Sequence, residues 1–132
     1  MDIVIDTSVL IAVILNEPEK AELVKITAGH TLVGPESIRW EIGNAFSAMF
    51  KKDRITLRMA QQAMSIFEVI PIRYMDVDFK HALKLAHDNN IYAYDAYFLD
   101  CALRHKAPLF SLDTKLVTKA RDLGIKIKEI QK

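Results

Sequence analysis

The sequence contains little cysteine and few glycines, and each shortage excludes a class of site. Cys101 is the one cysteine among 132 residues, so the chain can form no internal disulfide and has no cysteine-based zinc motif. Gly29, Gly34, Gly43 and Gly124 are isolated from one another, which excludes a glycine-rich phosphate-binding loop. Because Cys101 lies in the apolar run "FLDCAL", we expect a buried small side chain and not a nucleophile.

Long hydrophobic runs are also missing. The longest run near the start, "VLIAVIL", has seven residues, whereas a membrane-spanning helix needs about 20. Two aspartates precede this run, where a signal peptide would carry basic residues. With 51% hydrophobic residues the chain is long enough to bury a core, and we expect one soluble, cytoplasmic domain over residues 1–132.

The apolar residues alternate between strand-like and helix-like patterns. "DIVI" indicates a buried strand, and "HTLVG", "VIPIRYM", "PLFSL" and "IKIKEI" indicate four more, the last an edge strand. Helical patterns separate them: Thr7 or Ser8 is expected to cap the first helix, and "DVDFKHALKLAHDNN" places Phe79, Leu83 and Ala86 on its apolar side. Alternating strands and helices predict an α/β domain with a parallel sheet of about five strands.

Carboxylates occur where two of these strands end. Asp6 follows the first strand and Asp113 follows the fourth. In an open parallel sheet the ligand crevice lies outside the carboxyl ends of the strands, so the two acids would face each other if these strands are neighbours. Either aspartate alone is equally well explained as an acid that caps a helix.

Two further acids lie at helix positions that can reach such a crevice. At 100° per residue, Glu41 lies about 60° from Ile38 and borders the buried stripe of its helix, and Asn44 points the same way one turn later. Asp95 stands near the start of a later helix, where the helix dipole alone would explain it. Four converging acids would repel one another, so the set predicts an Mg²⁺ or Mn²⁺ site suited to phosphodiester hydrolysis.

Four segments together resemble the PIN domain, and more narrowly the VapC-type toxins of bacterial and archaeal toxin–antitoxin pairs. They are "VIDTSVLIA", "ESIRWEIGNAF", "AYDAYFLDCAL" and "LFSLDTKLV", and they occur in order along the whole chain. The resemblance implies a three-layer α/β sandwich, with helices on both faces of a parallel sheet in which the first and fourth strands are neighbours. It also implies an endoribonuclease that depends on Mg²⁺ or Mn²⁺.

The resemblance assigns roles to individual residues. The acidic quartet falls on Asp6, Glu41, Asp95 and Asp113, with the three aspartates as metal ligands and Glu41 orienting or deprotonating the attacking water. The polar residues expected to support them are Thr7, Ser8, Asn44 and Ser111, of which Ser111 replaces the usual threonine. Asp100 is expected to be at most a secondary contributor, because it lies about 140° around the helix from Asp95.

The partners implied by the resemblance are RNA, an antitoxin of the VapB type on a separate chain, and a second copy of this chain. Residues 1–50 carry 3 Lys/Arg and 7 Asp/Glu, and residues 51–132 carry 15 and 10, so the small net charge can hide an acidic pocket beside basic surface. An evenly solvated surface is the more common explanation of such an imbalance. Trp40, beside Glu41, would contact a partner or pack in the core. A catalytically silent PIN-like module for RNA binding or assembly is the alternative. An aspartyl-phosphate phosphatase is disfavoured, since Ser8 occupies the place of its second aspartate.

Overall fold

The computed structural model describes residues 1–130, which form a five-stranded sheet and seven helices. The strands are β1 (Asp2–Ile5), β2 (Thr31–Pro35), β3 (Arg73–Met75), β4 (Leu109–Phe110) and β5 (Ile127–Lys128). The helices are α1 (Thr7–Ile14), α2 (Lys20–Thr27), α3 (Ile38–Lys51), α4 (Leu57–Glu68), α5 (Phe79–Asn89), α6 (Ala93–His105) and α7 (Thr114–Asp122). Within these residues no helix is long and apolar enough to cross a membrane.

All the strand pairs in this sheet are parallel, in the order β3-β2-β1-β4-β5. The first strand is therefore central and pairs with the fourth, with Ile5 opposite Phe110, as predicted. Side chains on both faces of β1 are buried because helices cover both faces, and this arrangement confirms the three-layer α/β fold. The fifth strand lies at the edge of the sheet, as its alternating sequence predicts.

The core follows the helical periodicity of α3 and the apolar run of α6. Ile38, Ile42 and Phe46 lie on one side of α3 and are buried. Cys101 is fully buried in α6, and burial together with the charge of Asp100 raises the pKa of its thiol to about 12. The prediction that Cys101 is a packing residue is therefore confirmed.

Two local predictions were wrong. The N-cap of α1 is Asp6, whereas Thr7 and Ser8 lie inside the first turn, because the Ser8 hydroxyl is bonded to the Asp6 carboxylate. On α5, Phe79 and Leu83 are 63% and 61% exposed. The side of α5 that is buried carries Ala82 and Leu85, and this side lies next to α6.

Two glycines should respond in opposite ways to alanine. A Cβ at Gly34 in β2 would lie 2.5 Å from Cδ1 of the fully buried Ile38, so Gly34→Ala should lower the free energy of unfolding by about 1–2 kcal/mol. A Cβ at Gly43 in α3 meets only Cε of Met64, at 3.9 Å, so Gly43→Ala should raise it by about 0.5–1 kcal/mol. Urea denaturation of both variants measures these changes. If both substitutions changed the free energy of unfolding in the same direction, the packing described would be contradicted.

Candidate metal and active site

Asp6 occupies the place where β1 ends against β4. Its backbone N–H donates to the carbonyl of Phe110 at 2.9 Å, which continues the β1–β4 pairing by one step. Its side chain is only 7% exposed, so a carboxylate is buried at the carboxyl edge of the sheet. Burial raises the pKa of Asp6, since a buried charge loses its hydration.

Two serine hydroxyls hold this carboxylate. Ser8 and Ser111 donate to Oδ2 of Asp6 at 2.6 and 2.7 Å. Each hydroxyl also accepts a backbone N–H, Ser8 from Leu112 and Ser111 from Asp113, both at 3.0 Å. Because a hydroxyl has one proton to give, these backbone donors direct both protons towards Asp6. Oδ1 takes part in none of these side-chain hydrogen bonds, while the backbone N–H of Ser8 also favours the ionised carboxylate.

Glu41 lies in the first turn of α3 and is half-buried. Its pKa is raised to about 7, mainly by burial and in addition by the negative charges of Asp6 and Asp95, against the opposing effects of hydrogen bonds from Ser37 and Thr7. The Ser37 hydroxyl donates to Oε2 of Glu41 at 2.8 Å. Ser37 is not among the residues predicted from the sequence, although a serine four residues before a glutamate at a helix start lies on the same face of that helix.

The other two acids stand at the starts of α6 and α7. Asp95 lies in the first turn of α6, and burial, followed by the charges of Asp113 and Asp6, raises its pKa. Asp113 is the N-cap of α7 and accepts the backbone N–H groups of Lys115 and Leu116 on Oδ1, at 3.0 and 3.3 Å. The capping interpretation of Asp113 therefore holds, and Oδ2 accepts neither of these bonds.

Electrostatics link the four acids to one another. Asp113 acts on both Asp6 and Asp95, and Asp6 acts on Glu41 and Asp95. The structure thus brings together the ends of β1 and β4 and the starts of α3 and α6 around a shared negative field. Among residues 1–130, however, no group of three or more His, Cys, Asp or Glu side chains is placed so that it could hold a metal ion.

The polar neighbours differ in what they do. Ser8 and Ser111 hold Asp6. Thr7 is buried, and its Oγ1 meets no partner with full hydrogen-bond geometry among the described residues, but it interacts with the Glu41 carboxylate closely enough to lower the pKa of Glu41. A hydroxyl in this position favours the ionised form of Glu41. Asn44 is exposed one turn after Glu41, and only its backbone carbonyl is engaged, by Ser47.

Asp100 belongs to a separate network, on the side of α6 that faces α5. Its fully buried carboxylate is bonded to His81 Nδ1 at 2.7 Å and to the backbone N–H of Asp78 at 3.0 Å. Arg104 adds an ion pair at 3.2 Å and also donates to the carbonyl of Asp76 at 3.0 Å. These contacts fasten the start of α5 to α6, and they give Asp100 a structural role.

Known structures share this fold. PAE2754 from Pyrobaculum aerophilum superposes with a TM-score of 0.72 at 17% identity, over 96% of this chain and 83% of that one. VapBC2 from Rickettsia felis, bound to a DNA fragment from its promoter, gives 0.68 at 15% identity, over 97% and 98%. VapBC-1 from nontypeable Haemophilus influenzae gives 0.68 at 18% identity, over the full length of both chains.

At the level of sequence, the chain matches a family model but no individual protein. No curated protein matches the sequence significantly. The family model described as "PIN domain" matches residues 3–122, which span β1 to α7 and include all four acids. The chain therefore belongs to the PIN domain family.

Proposed function

We propose that this PIN domain is a VapC-like endoribonuclease that uses Mg²⁺ or Mn²⁺ to hydrolyse RNA phosphodiester bonds. The observation that carries the proposal is the buried Asp6 carboxylate, which two serines hold while three other acids raise the negative potential around it. A fold that needed only a polar residue at this turn would not retain a charge there, because burying an uncompensated carboxylate is unfavourable.

The donor set fits a hydrated hard cation. Carboxylate and hydroxyl oxygens are the ligands that Mg²⁺ and Mn²⁺ prefer, and Mg²⁺ retains several of its waters in protein sites. Within residues 1–130 no three His, Cys, Asp or Glu side chains are placed to hold an ion directly, so the proposal requires waters to complete the coordination. The buried Thr7 hydroxyl, which interacts with the Glu41 carboxylate, adds a further oxygen beside the acids. Asp6, Asp95 and Asp113 would hold the ion, directly or through water.

Residues of this chain have distinct roles in the proposed reaction. A bound divalent ion supplies an activated water and neutralises charge that develops on the phosphate. Glu41, whose pKa of about 7 suits a general base near neutral pH, orients the attacking water or takes its proton, and Ser37 fixes one oxygen of its carboxylate. Attack on phosphorus with departure of the 3′ oxygen leaves a 5′-phosphate and a 3′-hydroxyl.

RNA and an antitoxin are the partners of this proposal. Apart from the four site acids, 18 Lys/Arg face 13 Asp/Glu, so the surface favours a polyanion once the site charge is neutralised. The fold shared with VapBC2 and VapBC-1 supports inhibition by a VapB-like antitoxin on a separate chain. A cytoplasmic location is proposed because the RNA substrate is there. A catalytically silent PIN-like module remains the alternative function, since it would need the fold but not the acids.

Asp6→Asn decides between these two functions. With Mn²⁺ at a hundredfold excess over Kd, binding to native wild type should add about 2.7 kcal/mol to the free energy of unfolding, and Asp6→Asn should lose most of this gain. Total RNA incubated with wild type and Mn²⁺ should acquire new 5′-phosphate ends, which mapping of 5′ ends detects. Asp122→Asn removes an exposed aspartate of α7 and should behave like wild type. If wild type gained the full stabilisation from Mn²⁺ but left the RNA intact, the result would favour the catalytically silent module.

Glu41→Gln should make the metal-free protein more stable, but only at high pH. The folded-state pKa of about 7 exceeds the ordinary 4.5, so ionisation of Glu41 lowers stability as pH rises from about 4.5 to 7, and the loss is complete above 7. At pH 8 with a chelator, Glu41→Gln should gain on the order of 1–2 kcal/mol, allowing for solvent screening, and near pH 4 almost nothing. Urea titrations at both pH values, with the exposed Glu17→Gln as control, measure this. A gain independent of pH would contradict the repulsion described.

Substitutions of Asp113 can separate its helix-capping role from its negative charge. Asparagine is as good an N-cap as aspartate, so Asp113→Asn should keep stability within a few tenths of a kcal/mol while weakening Mn²⁺ binding. Asp113→Ala should lose the charge and about 1 kcal/mol of stability as well. Thermal melts with and without Mn²⁺ compare the two variants. Undiminished Mn²⁺ stabilisation in Asp113→Asn would remove this residue from the proposed ligand set.

A further inference from the structure

The edge of the sheet opposite the acid site, where the strands begin, is basic. A cavity of about 400 Å³ lies there, next to the starts of β1, β4 and β5. The charged and titratable side chains that line it are Asp2, His105, Lys106, Lys126 and Lys128. Asp2 is paired with Arg73, whereas none of the three lysines forms an ion pair within residues 1–130. Positive charge is therefore in excess at this cavity.

Most of these bases have an ordinary explanation when each is taken alone. His105 and Lys106 stand at the end of α6, where cations offset the helix dipole. Lys126 and Lys128 lie at the edge strand β5, where lysines hinder pairing with another chain. Neither explanation accounts for the backbone conformation of Lys106.

Lys106 adopts the left-handed backbone conformation, which is unfavourable for a lysine. Its φ is 50° and its ψ is 41°. The other three non-glycine residues with positive φ in residues 1–130 are Asn16, Asp53 and Asn90, whose short polar side chains tolerate this conformation. Glycine is the usual left-handed residue at the end of a helix. A lysine placed there against the local preference indicates a role for its side chain.

Lys106 and Lys126 also border a second cavity, of about 340 Å³. Its remaining walls are mostly apolar and include Leu103, Pro108 and Ile125. Because the two cavities share both lysines and Pro108, they adjoin each other at this point. A ligand that fills both cavities has an anionic part beside the lysines and an organic part against the apolar wall.

The acid site lies far enough away to leave this edge open to an anion. Asp2 begins β1 and Asp6 follows its last residue, so the two edges of the sheet are roughly 13 Å apart. This separation exceeds the Debye length of about 8 Å at physiological ionic strength, so solvent and salt weaken repulsion between the acids and an anion bound here. The sheet thus has an acidic carboxyl edge and a basic amino edge.

We propose that the two cavities at the amino edge form a phosphate-binding site for a nucleotide. Lys106 and Lys126 bind the phosphate, and the apolar wall contacts the ribose or the base. Phosphate supplies the negative charge and the acceptor oxygens that lysine ammonium groups bind strongly. The nucleotide is either free or one unit of an RNA strand, since both have this chemistry. The site is separate from the acid site and does not rest on the proposed nuclease function.

Adenosine 5′-monophosphate (AMP) and a fluorescently labelled single-stranded RNA are the two probes, each used with a chelator present. Because the chelator removes divalent ions, neither probe can bind through a metal ion at the acid site, and the RNA stays intact. Isothermal titration calorimetry measures the Kd of AMP, and fluorescence anisotropy measures that of RNA. Wild type should bind at least one probe, and Asp6→Asn should bind it equally tightly.

Lys126→Gln removes one positive charge from the site and should weaken binding about fivefold. Lys51→Gln is the matched control: Lys51 is exposed at the end of α3, forms no ion pair within residues 1–130 and lines neither cavity. If the probe is RNA, Lys126→Gln should also reduce the slope of log K against log salt by about 0.7, the value for one phosphate contact with a single strand. Lys51→Gln should change neither quantity.

Lys106→Gly separates binding from folding, because the two expected effects have opposite signs. Glycine adopts the left-handed conformation without strain, so the variant should have a higher Tm than wild type. It lacks the ammonium group, so it should bind the probe about fivefold more weakly. A variant that merely misfolded would lose binding and Tm together.

Each result supports or overturns the proposal. AMP binding that Lys106→Gly and Lys126→Gln weaken, but Lys51→Gln does not, supports a site for a free nucleotide. RNA binding alone, with the same response, supports the site with an RNA strand as the source of the phosphate. Failure of wild type to bind either probe, equal weakening by Lys51→Gln, or undiminished binding by both site variants overturns the proposal. Loss of binding in Asp6→Asn would place the ligand at the acid site and would overturn it as well.

Discussion

The parallel pairing of β1 with β4 is the constraint on which the rest of the site depends. It places the residue after Ile5 beside the residue after Phe110, so the carboxylate of Asp6 meets the hydroxyl of Ser111. Two hydroxyl donors stabilise the ionised carboxylate but do not remove its charge, and the neighbouring acids add to the negative potential. The fold therefore concentrates negative potential at the centre of its carboxyl edge, which either protonation or a bound cation would relieve.

The two aspartates of α6 lie in different electrostatic environments. Asp100 is more deeply buried than Asp95, yet it receives a backbone N–H, a histidine and an arginine, so its charge is compensated within the chain. Asp95 is bordered by Asp113 and Asp6, which repel it. The two carboxylates differ more in how neighbouring groups compensate their negative charge than in how deeply they are buried. Counting the acidic residues in the sequence does not distinguish these two environments.

The sequence allowed the sheet and the acid edge to be predicted because both follow from local rules. Strands predicted from β-branched runs place Asp6 and Asp113 at strand ends. The 140° between Asp95 and Asp100 on α6 agrees with the separate hydrogen bond of Asp100 to His81. The contacts of Ser37 and the exposure of Phe79 and Leu83 were not predictable in this way. Periodicity shows that a helix has an apolar stripe. Which side of α5 is buried depends on how α5 packs against α6, and this packing involves residues that are distant in sequence.

The first turns of α3 and α6 each carry an acid of the candidate site beside an exposed aromatic side chain. Trp40, which is 64% exposed, adjoins Glu41, and Tyr94, which is 54% exposed, adjoins Asp95. Burial and the neighbouring negative charges raise the pKa of both acids, so their ionised forms are unfavourable in the folded protein. A ligand that restrained either helix start would therefore also restrain an acid of the site. If the site binds a cation, the two binding events would be coupled, and each would strengthen the other by the same factor.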